Sequence, residues 1–475
     1  ITCKDAPLNT YLYCDTSASL NDRVNDLLSR MTLIEKVTMH NSDNYGIPRL
    51  GILPLGHAEC NRGTTVYPTY DGSPEFPTST FPQATLLGGA FYRNGIQRMA
   101  RAISNEVRAK YNKALKMNLY VTNGFGIACW GPMLNICKDP RWGRCQEGYG
   151  EDTMLMSEMA AAYVPNLQFD DTKTTTYYQA LATCKHFDVQ NGPEKGRAGF
   201  DAVTNYRDWI ESFQHHFKAC AENNVASFMC SYNAINGIPA CANKELLVEL
   251  TRGKWNFTGF ITSDCGAIPN MYNSQHYVRN YLEASEVAIK GGCDWYGNCD
   301  GPVSMPDYQY YAIINETIPE YYLDNALRRV LPYWFKLGLV DQPMAGPWSE
   351  LDIIDEYNSH ISLAYELAYK SMVLLKNDKD VLPLNMSDII LNKKKQYAFS
   401  LIGPCVNNTE CYSGDYTGNP LVYRSPLMAL YDTYGSNNFI YVPGCDDTAC
   451  SNLDTSGIGN AVSNSDYVIY IGGLS

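Results

Sequence analysis

The sequence has no apolar run that approaches the roughly 20 residues needed to span a bilayer. It is also short of positive charge, with 37 Lys and Arg against 50 Asp and Glu and a formal net charge of −13. Because phosphate groups are bound by clustered Lys and Arg, this balance argues against nucleic acids and anionic membranes as partners. The first residues lack the basic and then apolar pattern of a secretion signal, so we expect a mature or trimmed product.

The cysteines lack the spacing with histidine that a zinc site needs, so no metal site is predicted. There are 17 of them, however, which is a high number for a protein of a reducing cytosol. Several form short local pairs that small disulfide loops would explain: Cys3/Cys14, Cys230/Cys241, Cys293/Cys299, Cys405/Cys411 and Cys445/Cys450. Because the count is odd, at least one thiol is expected to be free or paired outside the chain.

Four Asn-X-Ser/Thr sequons are N-glycosylation acceptors if the protein passes through a eukaryotic secretory pathway: Asn256, Asn315, Asn385 and Asn407. Sequons and cysteines together predict a secreted, extracellular glycoprotein with disulfide bonds.

A chain of 475 residues is too long for one ordinary core, so at least two domains are expected. The periodic pattern breaks at Asp341-Gln-Pro-Met-Ala-Gly-Pro-Trp348, where two prolines and a glycine predict a linker. We therefore predict a first domain over residues 1–340, a linker over 341–356 and a second domain over 357–475.

The second domain shows a helical pattern followed by short buried strands. A helix is predicted over Ile361–Leu375, a helix-compatible stretch over Gly457–Asn464, and strands over Tyr397–Gly403, Phe439–Gly444 and Tyr467–Gly473. This alternation predicts the first part of a doubly wound α/β sandwich.

Four apolar runs of the first domain each end on a polar cluster. Ala180–Cys184, Ser227–Cys230, Phe260–Ser263 and Leu134–Cys137 precede Lys185-His186, Ser231-Tyr232-Asn233, Asp264 and Asp139-Pro-Arg-Trp-Gly-Arg144, respectively. Segments with helical periodicity lie between the runs, over Glu151–Leu167, Arg207–Asn223, Lys244–Thr251 and Tyr281–Lys290. The alternation predicts an α/β fold with a (β/α)8 barrel, in which catalytic residues come from the carboxyl ends of several strands.

Asp264 is a single acidic residue at the point where a buried strand ends. A carboxylate there suits nucleophilic attack or electrostatic support of a cation. An acidic N-cap for the following helix is an equal alternative from this motif alone.

Lys185 and His186 are adjacent on a strand, where successive side chains point to opposite sides. Only a local kink would bring both into one pocket, and a surface Lys beside a core His is the simpler interpretation. The cluster around Arg141 and Arg144 contains several carboxylates, so each arginine suits either bidentate binding of vicinal hydroxyls or an ion-pair network that locks the loop. We prefer the structural role for Arg141. Tyr232 could hold a neighbouring carboxylate and keep its pKa low.

In this order, the motifs resemble glycoside hydrolase family 3, and within it the β-xylosidase branch. The resemblance covers nearly the whole chain and rests on six motifs: Leu28-Ser-Arg-Met-Thr-Leu-Ile-Glu-Lys36, Asp139-Pro-Arg-Trp-Gly-Arg144, Lys185-His186-Phe187, Met229-Cys-Ser-Tyr-Asn-Ala-Ile-Asn-Gly237, Ser263-Asp264-Cys265 and Leu374-Leu-Lys-Asn-Asp378.

The resemblance implies a role for each candidate site residue. Asp264 would be the nucleophile, Tyr232 the tyrosine beside it, and Arg144, Lys185 and His186 the residues that hold sugar hydroxyls. Ala58-Glu-Cys-Asn-Arg-Gly63 aligns with a family motif that would make Glu59 the acidic ligand of the hydroxyls at the non-reducing end.

The mechanism implied by the resemblance is retaining hydrolysis of a β-glycosidic bond through a covalent glycosyl-enzyme, without a cofactor or metal. Cys265 stands where β-glucosidase members commonly carry Trp, which favours a β-D-xylosidase acting on xylo-oligosaccharides. β-Glucosidase and α-L-arabinofuranosidase activities of the same family are the alternatives.

Three departures from the family pattern stand out. Residues 53–63 lack the paired Trp and the His of the xylosidase motif, with Arg62 at the His position, and Gly266 stands where the branch usually has Asp. The family's acid/base Glu follows the strand resembling Tyr467–Gly473 and is expected beyond Ser475. We therefore expect either part of a longer or nicked enzyme, completed by a second fragment or chain, or a non-catalytic glycan-binding or structural glycoprotein.

Overall fold

The computed structural model describes residues 2–65, 76–119, 124–169, 177–297, 299, 303–341 and 348–473. The chain forms two compact units. The first contains Ile1–Met372 together with Tyr416–Asn419, and the second contains Val373–Asp415 and Pro420–Ser475.

The first unit is built on a parallel sheet. In chain order its strands are β1 (His57–Glu59), β2 (Ala128–Trp130), β3 (Leu181–Phe187), β4 (Asp201–Ala202), β5 (Ser227–Cys230), β6 (Ala234–Ile235), β7 (Ile238–Pro239) and β8 (Phe260–Ser263). The main sheet has the order β1-β2-β3-β5-β8 with all neighbours parallel, while β4, β6 and β7 form a small separate sheet. Isolated parallel bridges continue the row from Thr262 to Trp295 and from Tyr296 to Asn41.

Helices follow or connect most of these strands. They are α1 (Leu20–Arg30), α2 (Leu33–Met39), α3 (Ala84–Gly89), α4 (Arg93–Lys116), α5 (Thr153–Gln168), α6 (Tyr206–Asp208), α7 (His215–Glu222), α8 (Ala267–Asn273), α9 (Tyr281–Gly291), α10 (Met305–Ile314), α11 (Tyr321–Val330), α12 (Pro332–Lys336) and α13 (Ile353–Lys370), with π-helical turns over Trp209–Gln214 and Glu245–Lys254.

Local sequence signals set several helix starts. Thr32 and Glu35 form a reciprocal capping box at α2, and the side chains of Asp152 and Asn280 accept backbone N–H groups at the starts of α5 and α9. The strands of the main sheet are buried on both faces, as expected for a parallel sheet covered by helices. The predicted α/β class with a barrel-type parallel sheet is confirmed.

One of the four predicted strand runs is wrong. Leu134–Cys137 forms no strand, and the regular strand before it is β2, at Ala128–Trp130. The residue before the run, Met133, donates its backbone N–H to Asn61 Oδ1 at 3.0 Å and makes only an isolated bridge to Lys185, so no ladder continues into the run.

The second unit contains a smaller parallel sheet. Its strands are β9 (Tyr397–Ile402), β10 (Phe439–Val442) and β11 (Ser465–Tyr470), and its helices are α14 (Met386–Leu391), α15 (Glu410–Ser413), α16 (Pro426–Tyr434) and α17 (Thr455–Ser463). The order β10-β9-β11 places the first strand in the centre, so the winding reverses at β9 as predicted for a doubly wound sheet. Its core is built around Ala398, Phe399, Leu401, Val406, Leu427 and Phe439.

The two units divide after Met372, which is later in the chain than the predicted linker. Helix α13 begins at Ile353 and ends at Lys370, whereas the sequence pattern predicted a helix over Ile361–Leu375. It packs in the first unit, where Leu363 and Leu367 join the large core. Residues 342–347 of the predicted linker lie outside the described residues, and the predicted domain bounds stay a prediction.

Eight disulfides join the cysteines of the described chain. Four predicted local pairs are present, and Cys60–Cys129, Cys137–Cys145, Cys184–Cys220 and Cys265–Cys299 complete the set. The predicted pair Cys293/Cys299 is wrong, because Cys299 bonds to Cys265 while Cys293 is a buried free thiol.

Candidate active site

The carboxyl ends of four strands of the main sheet bring the candidate residues together. Glu59 is the last residue of β1, and Lys185 and His186 lie near the carboxyl end of β3. Tyr232 lies two residues after the end of β5, and Asp264 directly follows β8. Because these strands are parallel, their carboxyl ends share one edge of the sheet.

Strand β3 carries the local kink that the Lys185-His186 pair requires. Its register against β5 is irregular between Cys184 and Phe187, and the Lys185–His186 peptide is cis. Both side chains are 1% exposed, so the interpretation of a surface lysine is wrong.

Lys185 is fixed by an ion pair with Glu59. Its Nζ donates to Glu59 Oε2 at 2.5 Å, and both side chains are buried. Burial raises the pKa of Glu59, while the positive charge of Lys185 opposes that effect. The pair presents a carboxylate acceptor and an ammonium donor side by side, which suits two neighbouring hydroxyl groups.

Asn135 sets the tautomer of His186. The Oδ1 atom of Asn135 accepts the backbone N–H of His186 at 2.9 Å, and its Nδ2 donates to the His186 carbonyl at 2.8 Å, which fixes the amide orientation. His186 Nδ1, 2.9 Å from the same Oδ1, must therefore carry the proton. Burial holds the pKa of His186 well below its usual range, and the charges of Arg144 and Lys185 lower it further. Its Nε2 is thus an acceptor.

Arg144 lies in the loop after β2 and is held by a carboxylate. Its Nε and one terminal nitrogen each donate to Glu147 at 2.7 Å, in a bidentate pair with both side chains buried. That terminal nitrogen also lies 3.3 Å from His186 Nε2 and donates to the Tyr416 hydroxyl at 3.0 Å. Although burial opposes its charged form, the Glu147 hydrogen bonds raise the pKa of Arg144, so the guanidinium is permanently charged. Arg141, by contrast, forms an exposed ion pair with Asp139, as preferred from the sequence.

Asp264 is buried and only partly satisfied. Its Oδ1 accepts the backbone N–H of Cys265 at 2.8 Å, and Oδ2 lies 3.7 Å from His186 Nε2. Among the described residues, no donor reaches Oδ2 with standard hydrogen-bond geometry. Burial raises the pKa of Asp264, while the charges of Lys185 and Arg144 and the Tyr232 hydroxyl lower it. A buried carboxylate oxygen without a donor is costly, which is the expected state of a group that awaits a reacting atom.

Two further residues support Asp264 from its flanks. Tyr232 is half-buried, and burial together with the Asp264 charge raises the pKa of its hydroxyl, so it stays a proton donor. The Cys265–Cys299 disulfide crosslinks the residue next to Asp264 to the segment after the Trp295–Tyr296 bridges.

Sequence reasoning missed Tyr416, which belongs to the first unit although it is remote in sequence. Its hydroxyl accepts from Arg144, and its ring centroid lies 4.1 Å from Lys185 Nζ. The available indication was its place between Gly414 and Gly418 in a turn-forming stretch. Asn135 was also missed, although an amide inside an apolar run is a recognisable pattern.

The four sequon asparagines, Asn256, Asn315, Asn385 and Asn407, are all exposed. In the part of the chain that the structure describes, no group of three or more His, Cys, Asp or Glu side chains could hold a metal. The described helices also include none long and apolar enough to cross a membrane.

Comparisons with known proteins agree with this geometry. The family model "Glycosyl hydrolase family 3 N terminal domain" matches residues 76–332. The chain is 35% identical over 483 residues to β-xylosidase/α-L-arabinofuranosidase 1 of Medicago sativa subsp. varia, covering 99% of this chain and 59% of that protein. It is 34% identical over 480 residues to probable β-D-xylosidase 7 of Arabidopsis thaliana, covering 98% and 60%.

A solved structure gives the same result. A GH3 exo-β-xylosidase in complex with a xylobiose aziridine activity-based probe superposes with a TM-score of 0.87 at 27% identity, covering 100% of this chain and 59% of that one. The chain thus spans about three fifths of the length of the relatives it matches. The family match over more than half of the sequence, together with the parallel barrel sheet, shows that the chain belongs to glycosyl hydrolase family 3.

Proposed function

We propose that the protein is a retaining, exo-acting β-glycosidase, a β-D-xylosidase that releases terminal xylose from xylo-oligosaccharides. The observation that carries this proposal is the environment of Asp264, whose Oδ2 is buried without a donor and faces the neutral His186. The names of the relatives, which are β-xylosidases, support the substrate class.

In this mechanism Asp264 attacks the anomeric carbon and forms a covalent glycosyl-enzyme, which water then hydrolyses. The nearby charges of Lys185 and Arg144 favour the ionised carboxylate that attack requires, although burial opposes it. In the transition state the glycosidic bond to the leaving group breaks as the bond to Asp264 forms, and the carboxylate and the oriented dipoles of the buried site stabilise the positive charge on the oxocarbenium-like sugar.

The remaining residues suit recognition of hydroxyl groups. Lys185 and Arg144 supply charged donors, while Glu59 and His186 Nε2 supply acceptors. Because each is fixed by a buried partner, the terminal sugar would bind in one orientation. Loss of a hydroxyl would leave one of these groups unpaired, which is how such a site rejects a wrong sugar.

A second carboxyl about 5–5.5 Å from the nucleophile must act as acid and base in a retaining mechanism. We propose that this carboxyl comes from a further segment, within the part of the relatives' length that this chain does not span, or from a second chain, and that this segment or chain completes the second unit. Strand β11 is an outer strand of its sheet, and its exposed Val468 and Tyr470 suit coverage by such a segment.

α-L-Arabinofuranosidase activity is the second candidate, because the name of one relative joins it with β-xylosidase activity. β-Glucosidase activity is the remaining alternative within the family. A non-catalytic glycan-binding protein is less well supported, since it would bear the cost of the unpaired Asp264 oxygen without using it.

Secretion is proposed on two observations. Eight disulfides suit an oxidising compartment, and the four sequon asparagines are accessible for glycosylation. A shift in mass on treatment with an endoglycosidase would support this part of the proposal, and an unglycosylated secretory product would contradict its glycoprotein part.

Turnover of aryl glycosides by the whole protein tests the catalytic proposal. Aryl β-xyloside, aryl β-glucoside and aryl α-arabinofuranoside separate the three candidate activities. Asp264→Asn is expected to abolish turnover with the fold intact, whereas Asp307→Asn, an exposed aspartate of α10, is the matched control. Unchanged activity of Asp264→Asn would remove Asp264 from the mechanism.

A further inference from the structure

The loop that follows β3 places an arginine beside the candidate site. The guanidinium carbon of Arg197 lies 5.2 Å from the centroid of the Tyr232 ring, at cation–π distance. Tyr232 in turn interacts with Asp264, so Arg197 is one side chain removed from the proposed nucleophile.

Arg197 is held by Glu194, which in turn contacts Trp142, a residue of the Asp139–Arg144 motif that the proposed function leaves unused. Glu194 pairs with Arg197 through one carboxylate oxygen and accepts Trp142 Nε1 at 3.2 Å through the other. Gly192 has φ of +96°, and a Cβ there would lie 3.0 Å from the Trp142 ring, so the loop packs directly on this ring. Trp142, Glu194 and Arg197 therefore form one connected cluster, which we call the rim cluster.

The exposure of the side chains indicates where the site opens. Lys185, His186, Glu59 and Arg144 are at most 5% exposed. Tyr232 is half-buried, and the Arg197 side chain is 41% exposed. When the buried groups hold the terminal sugar of an oligosaccharide, the other sugars must extend toward solvent. The exposure of the side chains increases from the buried groups through Tyr232 to Arg197, so the other sugars would pass the rim cluster.

Electrostatics also place Arg197 within reach of the site. Its positive charge opposes the desolvation effect that raises the pKa of Tyr232, and it adds to the burial effect that lowers the pKa of His186. Among the described residues, Glu194 is the only carboxylate that Arg197 contacts, and the contact uses one of its two terminal nitrogens. The planar guanidinium keeps further N–H donors for a ligand.

We propose that Arg197, supported by Glu194 and Trp142, forms a leaving-group subsite that binds hydroxyl groups of the sugar on the far side of the scissile bond. This inference rests on the proposed glycosidase function and deepens it, because it assigns the residues that distinguish an oligosaccharide from a simple aryl glycoside. Tyr232 offers its ring beside these donors, an arrangement that suits a pyranose with apolar C–H faces and hydroxyl edges.

The test compares two substrates that share the terminal sugar and differ only in the leaving group. For both xylotriose and an aryl β-xyloside, kcat/KM reports the steps up to glycosyl-enzyme formation. In the whole protein, Arg197→Met keeps the aliphatic stem but removes the donors. We expect the ratio of kcat/KM for xylotriose to that for the aryl xyloside to fall roughly tenfold, as for loss of a charge-assisted hydrogen bond.

Two further variants make the result specific. Arg197→Lys keeps the charge but loses the planar fork, and should lower the ratio less than Arg197→Met. Arg279→Met removes an exposed arginine at the start of α9 and should leave the ratio unchanged. Arg197→Lys also serves if Arg197→Met does not fold.

The outcomes separate the inference from the function on which it rests. A parallel fall on both substrates would mean that Arg197 acts through Tyr232 or His186, and an unchanged ratio in both Arg197 variants would mean that it binds nothing; either result overturns the subsite. Absence of turnover of every β-xyloside by the wild-type protein would overturn the proposed function and the subsite with it.

Discussion

At the scale of single residues, the candidate site is a set of buried charges that are individually costly and mutually compensated. Lys185 and Glu59 are removed from water, and such a pair contributes little net stability because desolvation offsets the attraction. Glu147 compensates Arg144 in the same way. The arrangement therefore contributes little to stability, which is consistent with the sugar-binding role that we propose for these residues.

Breaking the Lys185–Glu59 pair should be costly, because it leaves a carboxylate buried without its partner. We expect Lys185→Met to lower the free energy of unfolding by about 3–5 kcal/mol. Lys218→Met is the control, because Lys218 pairs with Glu222 on the surface of α7 and should cost under about 0.5 kcal/mol. All seven tryptophans lie in the first unit, so tryptophan fluorescence in a urea titration measures both. Equal effects of the two variants would contradict the account of the pair.

Asp188 predicts a pH dependence of stability. Burial raises its pKa to about 7, although the N–H groups of Trp209 and Val189 oppose the shift. The unfolded value is about 3.9, so between the two the folded state binds more protons and stability is lost as pH rises. This group contributes at most about 4 kcal/mol at pH below about 4, and the contribution is gone above about pH 7.

Urea unfolding at pH 5 and pH 8 gives the change in unfolding free energy between the two pH values. The contribution of Asp188 is the difference in this change between the wild-type protein and Asp188→Asn. Asp188→Asn should reduce the fall in unfolding free energy between the two values, and Asp307→Asn, which is exposed, should not. An identical pH dependence in wild type and Asp188→Asn would show that Asp188 is ionised in the folded state throughout this range.

How far the site could be predicted differs from residue to residue. The position of Asp264 beyond a buried strand could be predicted because a parallel sheet brings strand ends to one edge. Lys185 and His186 could not be placed together from period-two alternation, since the kink in β3 lies outside that rule. Tyr416 depends on contacts across more than 200 residues, which local patterns do not encode.

At the scale of elements, the strands and helices follow the sequence wherever burial and capping agree. β5 and β8 match the predicted runs residue for residue, because both are short and fully buried. Leu134–Cys137 shows the limit: it is largely apolar and buried, but its backbone N–H groups bond singly, Leu134 to Lys185 O and Cys137 to Gly150 O, and form no strand ladder. Hydrophobicity indicates burial, and pairing decides whether a buried segment is a strand.

The segment Tyr416–Asn419 contains no helix or strand, and its position in the first unit is set by contacts with residues that are distant in sequence. It pairs with Thr78, whose N–H donates to Asn419 O at 3.0 Å, and Gly418 lies against Ser79. Ser79 cannot yield, because its N–H and hydroxyl both donate to buried Glu106, at 2.7 and 2.6 Å. The segment thereby holds Tyr416 over Lys185.

A methyl group at Gly418 should displace this segment. The added Cβ would lie 2.1 Å from the Ser79 carbonyl oxygen, far inside contact distance. We expect Gly418→Ala to lower kcat/KM for an aryl β-xyloside about tenfold or more through loss of Tyr416 from the site. Gly459→Ala is the matched control: it is an open helical position in α17, where alanine should add about 0.5–1 kcal/mol of stability without changing activity. Full activity of Gly418→Ala would contradict the role of the segment.

At the scale of the whole molecule, the two-unit α/β organisation could be predicted from the alternation of elements, and the two units divide after Met372, later in the chain than the predicted linker. The predicted linker ends at residue 356, inside helix α13. The amphipathic pattern of this helix fits packing against either domain, and the contacts of Leu363 and Leu367 with the large core show that it belongs to the first unit. The cysteine pairing shows the same limit, since proximity in sequence suggested Cys293/Cys299 whereas the fold brings Cys265 to Cys299.

The disulfide set predicts a definite pattern of thiol chemistry. Under native conditions Cys293 should resist alkylation, because it is buried and burial raises the pKa of its thiol. After denaturation without reductant, one thiol per chain should react, at Cys293. A peptide map without reduction should contain the Cys265–Cys299 link, and a Cys293–Cys299 link would contradict the structure near Asp264.

The central claim is that Asp264 is the nucleophile, and trapping its covalent intermediate tests it most directly. A 2-deoxy-2-fluoro-β-xyloside with a good leaving group should glycosylate the nucleophile as that leaving group departs, and the product should then turn over slowly, because fluorine destabilises the oxocarbenium-like transition state of both steps. Intact and peptide mass spectrometry of the whole protein should find one fluoroxylosyl group, on the peptide that contains Asp264, and none in Asp264→Asn. A label on another carboxylate, or continued turnover by Asp264→Asn, would contradict the account.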